Sequence, residues 1–207
     1  MKNKPNLENA YDLKSPSDNI ELYSSWADTY DLDFIDEMQY ELHFHVASAF
    51  VSNGGRGLIL DVGAGTGALA EALLNKAKFK IEATDISKEM LEVAKSKKFY
   101  KGSFLSDLTK EIPVDDDHYD GVVSSGTFTH GHVGPNAIHE LIRITKPGGL
   151  IVISVNEKHW IALDFKSEVE KISKFIHKYT CEKISIYGKL STHDHKDDEA
   201  IILTIIV

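Results

Sequence analysis

A short apolar run, Leu58-Ile59-Leu60-Asp61-Val62, opens directly into glycines at alternating positions, Gly63, Gly65 and Gly67, and then into the helix-compatible start Ala68-Leu69. A strand that turns this sharply into a helix puts its turn at the carboxyl end of the strand. Open α/β sheets bind ligands there, and glycine lets the backbone approach one closely. The spacing alone is ambiguous, because Gly63, Gly65 and Ala68 also satisfy the dinucleotide fingerprint G-x-G-x-x-G/A. Two carboxylates bear on the choice. Asp61, two residues before the first glycine, suits an ammonium group and is poorly placed beside a pyrophosphate, which favours an amino-acid-bearing nucleoside. Asp85 ends the next apolar run, twenty residues after the central glycine, where a carboxylate accepts both hydroxyls of a ribose in either class of cofactor.

The chain around this loop has 207 residues, 42% of them hydrophobic and 27% charged, which is enough for one well-packed domain. Short apolar runs at 58–62, 81–84, 99–102, 119–124 and 150–155 alternate with amphipathic stretches. Runs of this kind suit strands covered on both faces, as in a parallel sheet with crossover helices. The helices predicted are 68–75, 88–97, 135–145 and 164–179. Two further strand-like runs, 183–189 and 200–207, are separated by a polar stretch too short for a crossover, so they pair antiparallel. Ahead of the loop, apolar residues three and four apart from Ile20 to Phe50 predict two helices broken near Asp31 to Asp33. Residues 1–19, with Pro5 and Pro16, read as a loosely held lead-in. The division expected is 1–50 for the N-terminal segment and its lid helices and 51–207 for the binding domain.

Charge and cysteine content exclude several roles. With 23 Lys and Arg against 32 Asp and Glu, the net charge of −9 argues against non-specific binding to nucleic acid or anionic lipid. No apolar run reaches membrane-spanning length, and residues 1–19 carry no signal-peptide core, so a cytoplasmic protein without a membrane partner is expected. The single Cys181 permits neither an internal disulfide nor a multi-cysteine metal site, and it reads as structural. No metal site is expected. His43 and His45 point to different faces of one helix and read as unrelated, and His193 and His195, among Asp194, Asp197 and Asp198, read as a solvated hairpin tip.

With the glycine loop, Asp85, the sequence Lys146-Pro-Gly-Gly149 before a strand, and the closing hairpin, the chain resembles the class I S-adenosylmethionine-dependent methyltransferases from about Ser24 to its C-terminus. The run Ser24 to Asp31 and the run Ser125 to Pro135 are similar to the methyltransferase-like group named after the Williams–Beuren syndrome region. The resemblance implies a Rossmann-like, doubly wound α/β sheet of seven strands in the order 3-2-1-4-5-7-6, with strand 7 antiparallel. It implies S-adenosylmethionine as cofactor, with Asp61, Gly63, Ala64, Gly65 and Gly67 lining the methionine and ribose part and Asp85 on the ribose hydroxyls. Ile86 would lie on the adenine, Asp107 would accept from its amino group, and the Leu108 amide would meet the ring. The stretch from Ser124 through Ser125 and Gly126 to Thr127 would pass beneath the sulfonium, and Tyr23, Trp26 and Tyr30, on one helical face, would fold over the methionine end. The contrast between that aromatic face and the polar, Pro-interrupted stretch up to Asn19 predicts that this segment is a lid ordered by ligand.

His130 and His132 follow the fourth strand, where an acceptor would meet the transferred methyl, and histidine suits proton removal near neutral pH. They are the candidate catalytic residues, although transfer to an already nucleophilic atom needs alignment more than a base. The expected activity is methyl transfer to a nitrogen, oxygen or carbon of a small-molecule acceptor. The competing readings are a cofactor-binding protein without transferase activity and a nicotinamide-dependent oxidoreductase, the latter opposed by the terminal hairpin.

Overall fold

The computed structural model describes residues 5–13 and 15–207; residues 1–4 and 14, which belong to the expected lead-in, lie outside the described residues. The strands are β1 (Leu58–Val62), β2 (Lys80–Asp85), β3 (Gly102–Leu105), β4 (Tyr119–Phe128), β5 (Thr145–Asn156), β6 (Lys178–Ser185) and β7 (Glu199–Ile206). The helices are α1 (Leu7–Tyr11), α2 (Pro16–Trp26), α3 (Leu42–Ser52), α4 (Ala68–Leu74), α5 (Lys88–Ser96), α6 (Ala137–Ile144), α7 (Glu157–Ala162) and α8 (Phe165–Ile172), with a π-helix at Asp31–Asp36.

All seven strands form one sheet in the order β3-β2-β1-β4-β5-β7-β6. β1 pairs in parallel with β2 and β4, whereas β7 runs antiparallel to both β5 and β6. This is the arrangement the resemblance implied. Successive side chains enter opposite cores: Ile59, Val123 and Val152 meet Val46, Phe50, Leu69 and Leu73 of α3 and α4, while Leu60, Val122 and Ile151 meet Ile138, Leu141, Phe165 and Val169 of α6 and α8. The central strands are buried on both faces for this reason, and each fully buried Leu, Ile or Phe adds roughly 1.5–3 kcal/mol.

The structure corrects several boundaries. The lead-in contains α1 and the start of α2, because Asn6 and Ser15 act as N-caps, accepting from the backbone N–H of Asn9 at 3.0 Å and of Asp18 at 3.2 Å, and Pro16 occupies a first-turn position that helices tolerate. The expected break near Asp31 to Asp33 is the π-helix, with i→i+5 bonds from Glu37 to Leu32 and from Tyr40 to Ile35. β3 begins at Gly102, where the expected run ended, since Phe99 and Tyr100 pack on the core before pairing with β2 starts. The last helix stops at Ile172 and β6 starts at Lys178, five residues before the predicted strand; α7 went unpredicted.

The hairpin tip is not simply solvated. Asp198 is 8% exposed, accepts from the Tyr11 hydroxyl at 2.8 Å and from Lys158 Nζ at 2.6 Å, and lies 3.3 Å from His195 Nδ1. Cys181 lies within β6, where it is free and exposed, so it contributes nothing to a core. The expected boundary at residue 50 falls inside α3, whose Val46, Ala47 and Phe50 belong to the sheet's core. Among the described residues, no helix is long and apolar enough to cross a membrane.

Candidate functional site

An open cleft lies at the carboxyl ends of β1, β2 and β4, between the glycine loop and the N-terminal helices. β1 has neighbours in sequence-opposite directions, β2 on one side and β4 on the other, and such a switch point leaves a crevice above the sheet. Asp61, Gly63, Ala64 and Gly65 line it from the loop, Asp85 and Ile86 from the end of β2, and Asp107 and Leu108 from the turn after β3. Ser125 and Gly126 line it from β4, and Tyr23, Tyr30 and His132 close its other side.

Each carboxylate is held differently. Asp61 is 1% exposed; its Oδ2 accepts from the Tyr100 hydroxyl at 2.7 Å, and its Oδ1 is buried with no hydrogen-bond partner. Burial pushes its carboxyl up to about 7, against the opposing pull of the Tyr100 hydrogen bond. Asp85 accepts from the Gly65 N–H and the Ser87 N–H, both at 2.8 Å; burial raises its carboxyl and these amide bonds oppose the rise. Asp107 accepts from the Thr109 N–H at 3.0 Å and hydroxyl at 2.6 Å and pairs with Lys110 at 3.0 Å, so it also holds its own turn. At Gly65, φ is +53° and a Cβ would meet nothing within 4 Å. That backbone tolerates few side chains, and the missing one leaves free room next to the N–H that donates to Asp85.

The expected site residues do not all reach the cleft. Gly67 caps α4 and Ser124, fully buried, donates to the Val62 carbonyl at 2.7 Å, so neither lines it. Trp26 is 1% exposed and packs edge-on to Tyr30 and Phe34 at ring-centroid distances of 5.1 and 5.9 Å, behind the cleft wall. The two histidines part company: His132 lines the cleft, edge-on to Tyr23 at 5.5 Å, whereas His130 lies off it, 6.0 Å from the Tyr11 ring and 5.7 Å from that of His159. Burial, reinforced by His159 and His130, pushes His132 down to about 3, leaving a neutral ring whose Nε2 is buried without a partner.

Several residues of this site were not anticipated. Tyr100 carries no motif, and only the fold brings it to Asp61. His43, 5% exposed, lines the cleft stacked on Tyr40 at 5.8 Å, and burial lowers it to about 4. It does lie on a different face from the half-exposed His45. Asp31, at the start of the π-helix, accepts from both the Thr66 hydroxyl in the glycine loop and the Lys97 ammonium after α5. Among the described residues, no group of three or more His, Cys, Asp or Glu is placed to hold a metal ion.

Comparison with known proteins agrees with this architecture. Residues 60–153 match the family described as a methyltransferase domain. The chain is 31% identical over 149 residues to methyltransferase-like protein 27 of Homo sapiens, covering 70% of this chain and 60% of that protein. It is 33% identical over 150 residues to the ubiquinone/menaquinone biosynthesis C-methyltransferase UbiE of Burkholderia mallei, covering 67% and 60%. The chain thus spans about 60% of the length of these curated relatives. A chain from the complex of the Haloferax volcanii Trm112 methyltransferase activator superposes at a TM-score of 0.65 with 18% identity, over 89% of this chain and 96% of that one. With its sheet order, its glycine loop and this family match together, the chain carries a methyltransferase domain of the class I S-adenosylmethionine-dependent fold.

Proposed function

We propose that the chain is an S-adenosylmethionine-dependent methyltransferase that transfers a methyl group to a small-molecule nucleophile. The observation that carries this is Asp61, a buried carboxylate lining the cleft with one unpartnered oxygen. A buried carboxylate oxygen without a donor is costly, and the amino-acid ammonium of the cofactor supplies that donor. In this reading Gly63, Ala64 and Gly65 bring backbone close to the methionine and ribose part, and Asp85 takes the ribose hydroxyls on lone pairs its two amide donors leave free. Ile86, Asp107 and Leu108 form the adenine end. Ser125 and Gly126 run beneath the sulfonium, and Tyr23 and Tyr30 close over it.

S-adenosylmethionine held by these residues would supply an electrophilic methyl on its sulfonium sulfur. The protein's part is to align donor and acceptor and to keep water out. His132 stays neutral near pH 7 and offers Nε2 as a hydrogen-bond partner for the acceptor. His130, off the cleft wall, takes no part. The N-terminal helices, which bound the cleft on one side and narrow its approach, support a small acceptor.

S-adenosylhomocysteine is expected to bind and, at about 100 times its Kd, to stabilise the fold by roughly 2.7 kcal/mol. Titration calorimetry and thermal melts measure both. Binding of NAD in its place would reassign the cofactor. Release of S-adenosylhomocysteine from S-adenosylmethionine in the presence of fractionated small metabolites separates a transferase from a protein that only binds the cofactor.

A further inference from the structure

A second, smaller chamber adjoins the cleft and shares with it Tyr23, Tyr30, Tyr40 and Gly126. Its own walls include Tyr11 of α1, Trp26 of α2, Phe34 of the π-helix and Tyr187 after β6, with Ser154 and Asn156 of β5. No charged side chain lines it among the described residues. Trp26 is 1% exposed, and its indole N–H has no hydrogen-bond partner. At the junction with the cleft, Gly126 has φ +78°, its N–H donates to Ser154 Oγ at 3.0 Å, and a Cβ there would come within 2.5 Å of the Tyr40 hydroxyl. A side chain there would crowd the Tyr40 hydroxyl at the junction.

We infer that this chamber receives the methyl acceptor, and that the acceptor is a neutral, planar ring compound bearing a hydrogen-bond-accepting atom. The inference rests on the methyltransferase reading above and specifies its substrate class. The argument is one of complementarity. The rings meet edge to face, Trp26 with Tyr30 at 83° and with Phe34 at 63°, so the walls suit another flat ring. An anion or cation would enter without a counter-charge, since Asp198 nearby is already engaged by Tyr11 and Lys158 and does not line the chamber. Burial raises the Tyr23 and Tyr30 phenols above their usual value, so these walls stay uncharged at neutral pH. The Trp26 N–H calls for an acceptor atom on the ligand.

The test uses the full chain saturated with S-adenosylhomocysteine and three probes of one shape: 2-naphthol, neutral at about pH 7.5, and the charged 2-naphthoate and 2-naphthylmethylammonium. Calorimetry is expected to give 2-naphthol at least about tenfold tighter binding than either charged probe. Ala10→Trp, at another chamber wall, should abolish that binding, and Trp26→Phe, which keeps a ring but removes the N–H, should weaken it about fivefold to tenfold. The Ala10→Trp variant should keep the parent's affinity for S-adenosylhomocysteine. Equal or tighter binding of a charged probe, no binding of 2-naphthol, or undiminished 2-naphthol binding in the folded variants would overturn the proposal while leaving the cofactor reading intact. Absence of S-adenosylhomocysteine binding would instead overturn that reading, and this proposal with it.

Discussion

Asp61 is caught between two demands. Burial disfavours its charge, raising the carboxyl to about 7, yet the proposed ammonium partner needs the carboxylate. Affinity for S-adenosylhomocysteine should therefore fall as pH drops through about 7, approaching tenfold per pH unit, and Asp61→Asn should bind weakly with a flat pH profile. Tyr100→Phe removes the donor that holds the carboxyl down, so the midpoint of that profile should move to higher pH. Calorimetry across about pH 5.5–8.5 checks all three; a profile with the parent's midpoint in Tyr100→Phe would show that the phenol does not tune this group. For the ligand-free fold the sign is reversed. A carboxyl whose folded pKa lies above its unfolded one favours folding while protonated. Its contribution is complete below about 3.9 and is lost as pH rises to about 7.

The π-helix matters as an element because it joins the N-terminal segment to the cofactor loop. Through Asp31 it holds Thr66 and Lys97, and in the last turn of α2 Ser24 donates to Glu89 of α5 at 2.6 Å. These few polar ties, and the ring cluster of Tyr23, Trp26, Tyr30 and Phe34, are what dock the proposed lid over the cleft. Such a segment lies at the low-stability end of a fold and can open locally. Asp31→Ala should raise amide exchange across residues 31–41 in the ligand-free protein, with saturating S-adenosylhomocysteine restoring most of the protection. Exchange that matches the parent in both states would mean that Asp31 does not latch the segment.

Across the whole molecule, the N-terminal helices close on the hairpin between β6 and β7. Tyr11 of α1 donates to Asp198 at the end of the hairpin and stacks on His195 at 3.9 Å, while Tyr40 bridges to Tyr187. Residues far apart in sequence therefore build the wall of the chamber together. Asp198→Ala leaves the Tyr11 hydroxyl and Lys158 without their buried acceptor, at an expected cost of about 1–3 kcal/mol. Urea denaturation should show a lower midpoint with an unchanged m value, since the sheet's two cores do not depend on this clasp. A stability equal to the parent's would mean that the clasp contributes nothing net.

What the sequence determined by itself is the part written in local pattern. The glycine loop, the offsets of Asp61 and Asp85 and the apolar runs of β1, β2 and β5 were legible because strands buried on both faces must be apolar throughout, and a tight turn at a ligand demands glycine. β6 was displaced because it is an edge strand whose residues are almost all exposed, so its strand character comes from pairing with β7 and leaves no apolar signature. Tyr100 on Asp61, Asp31 on Thr66 and Lys97, and Tyr11 on Asp198 could be decided only by tertiary structure. Each pair joins residues 35 or more positions apart, and a hydrogen bond between distant side chains imposes no periodicity on the chain between them. The same reason placed His132 on the cleft and His130 off it: adjacent in pattern, they were separated by the course of one loop packed beneath α1 and α2.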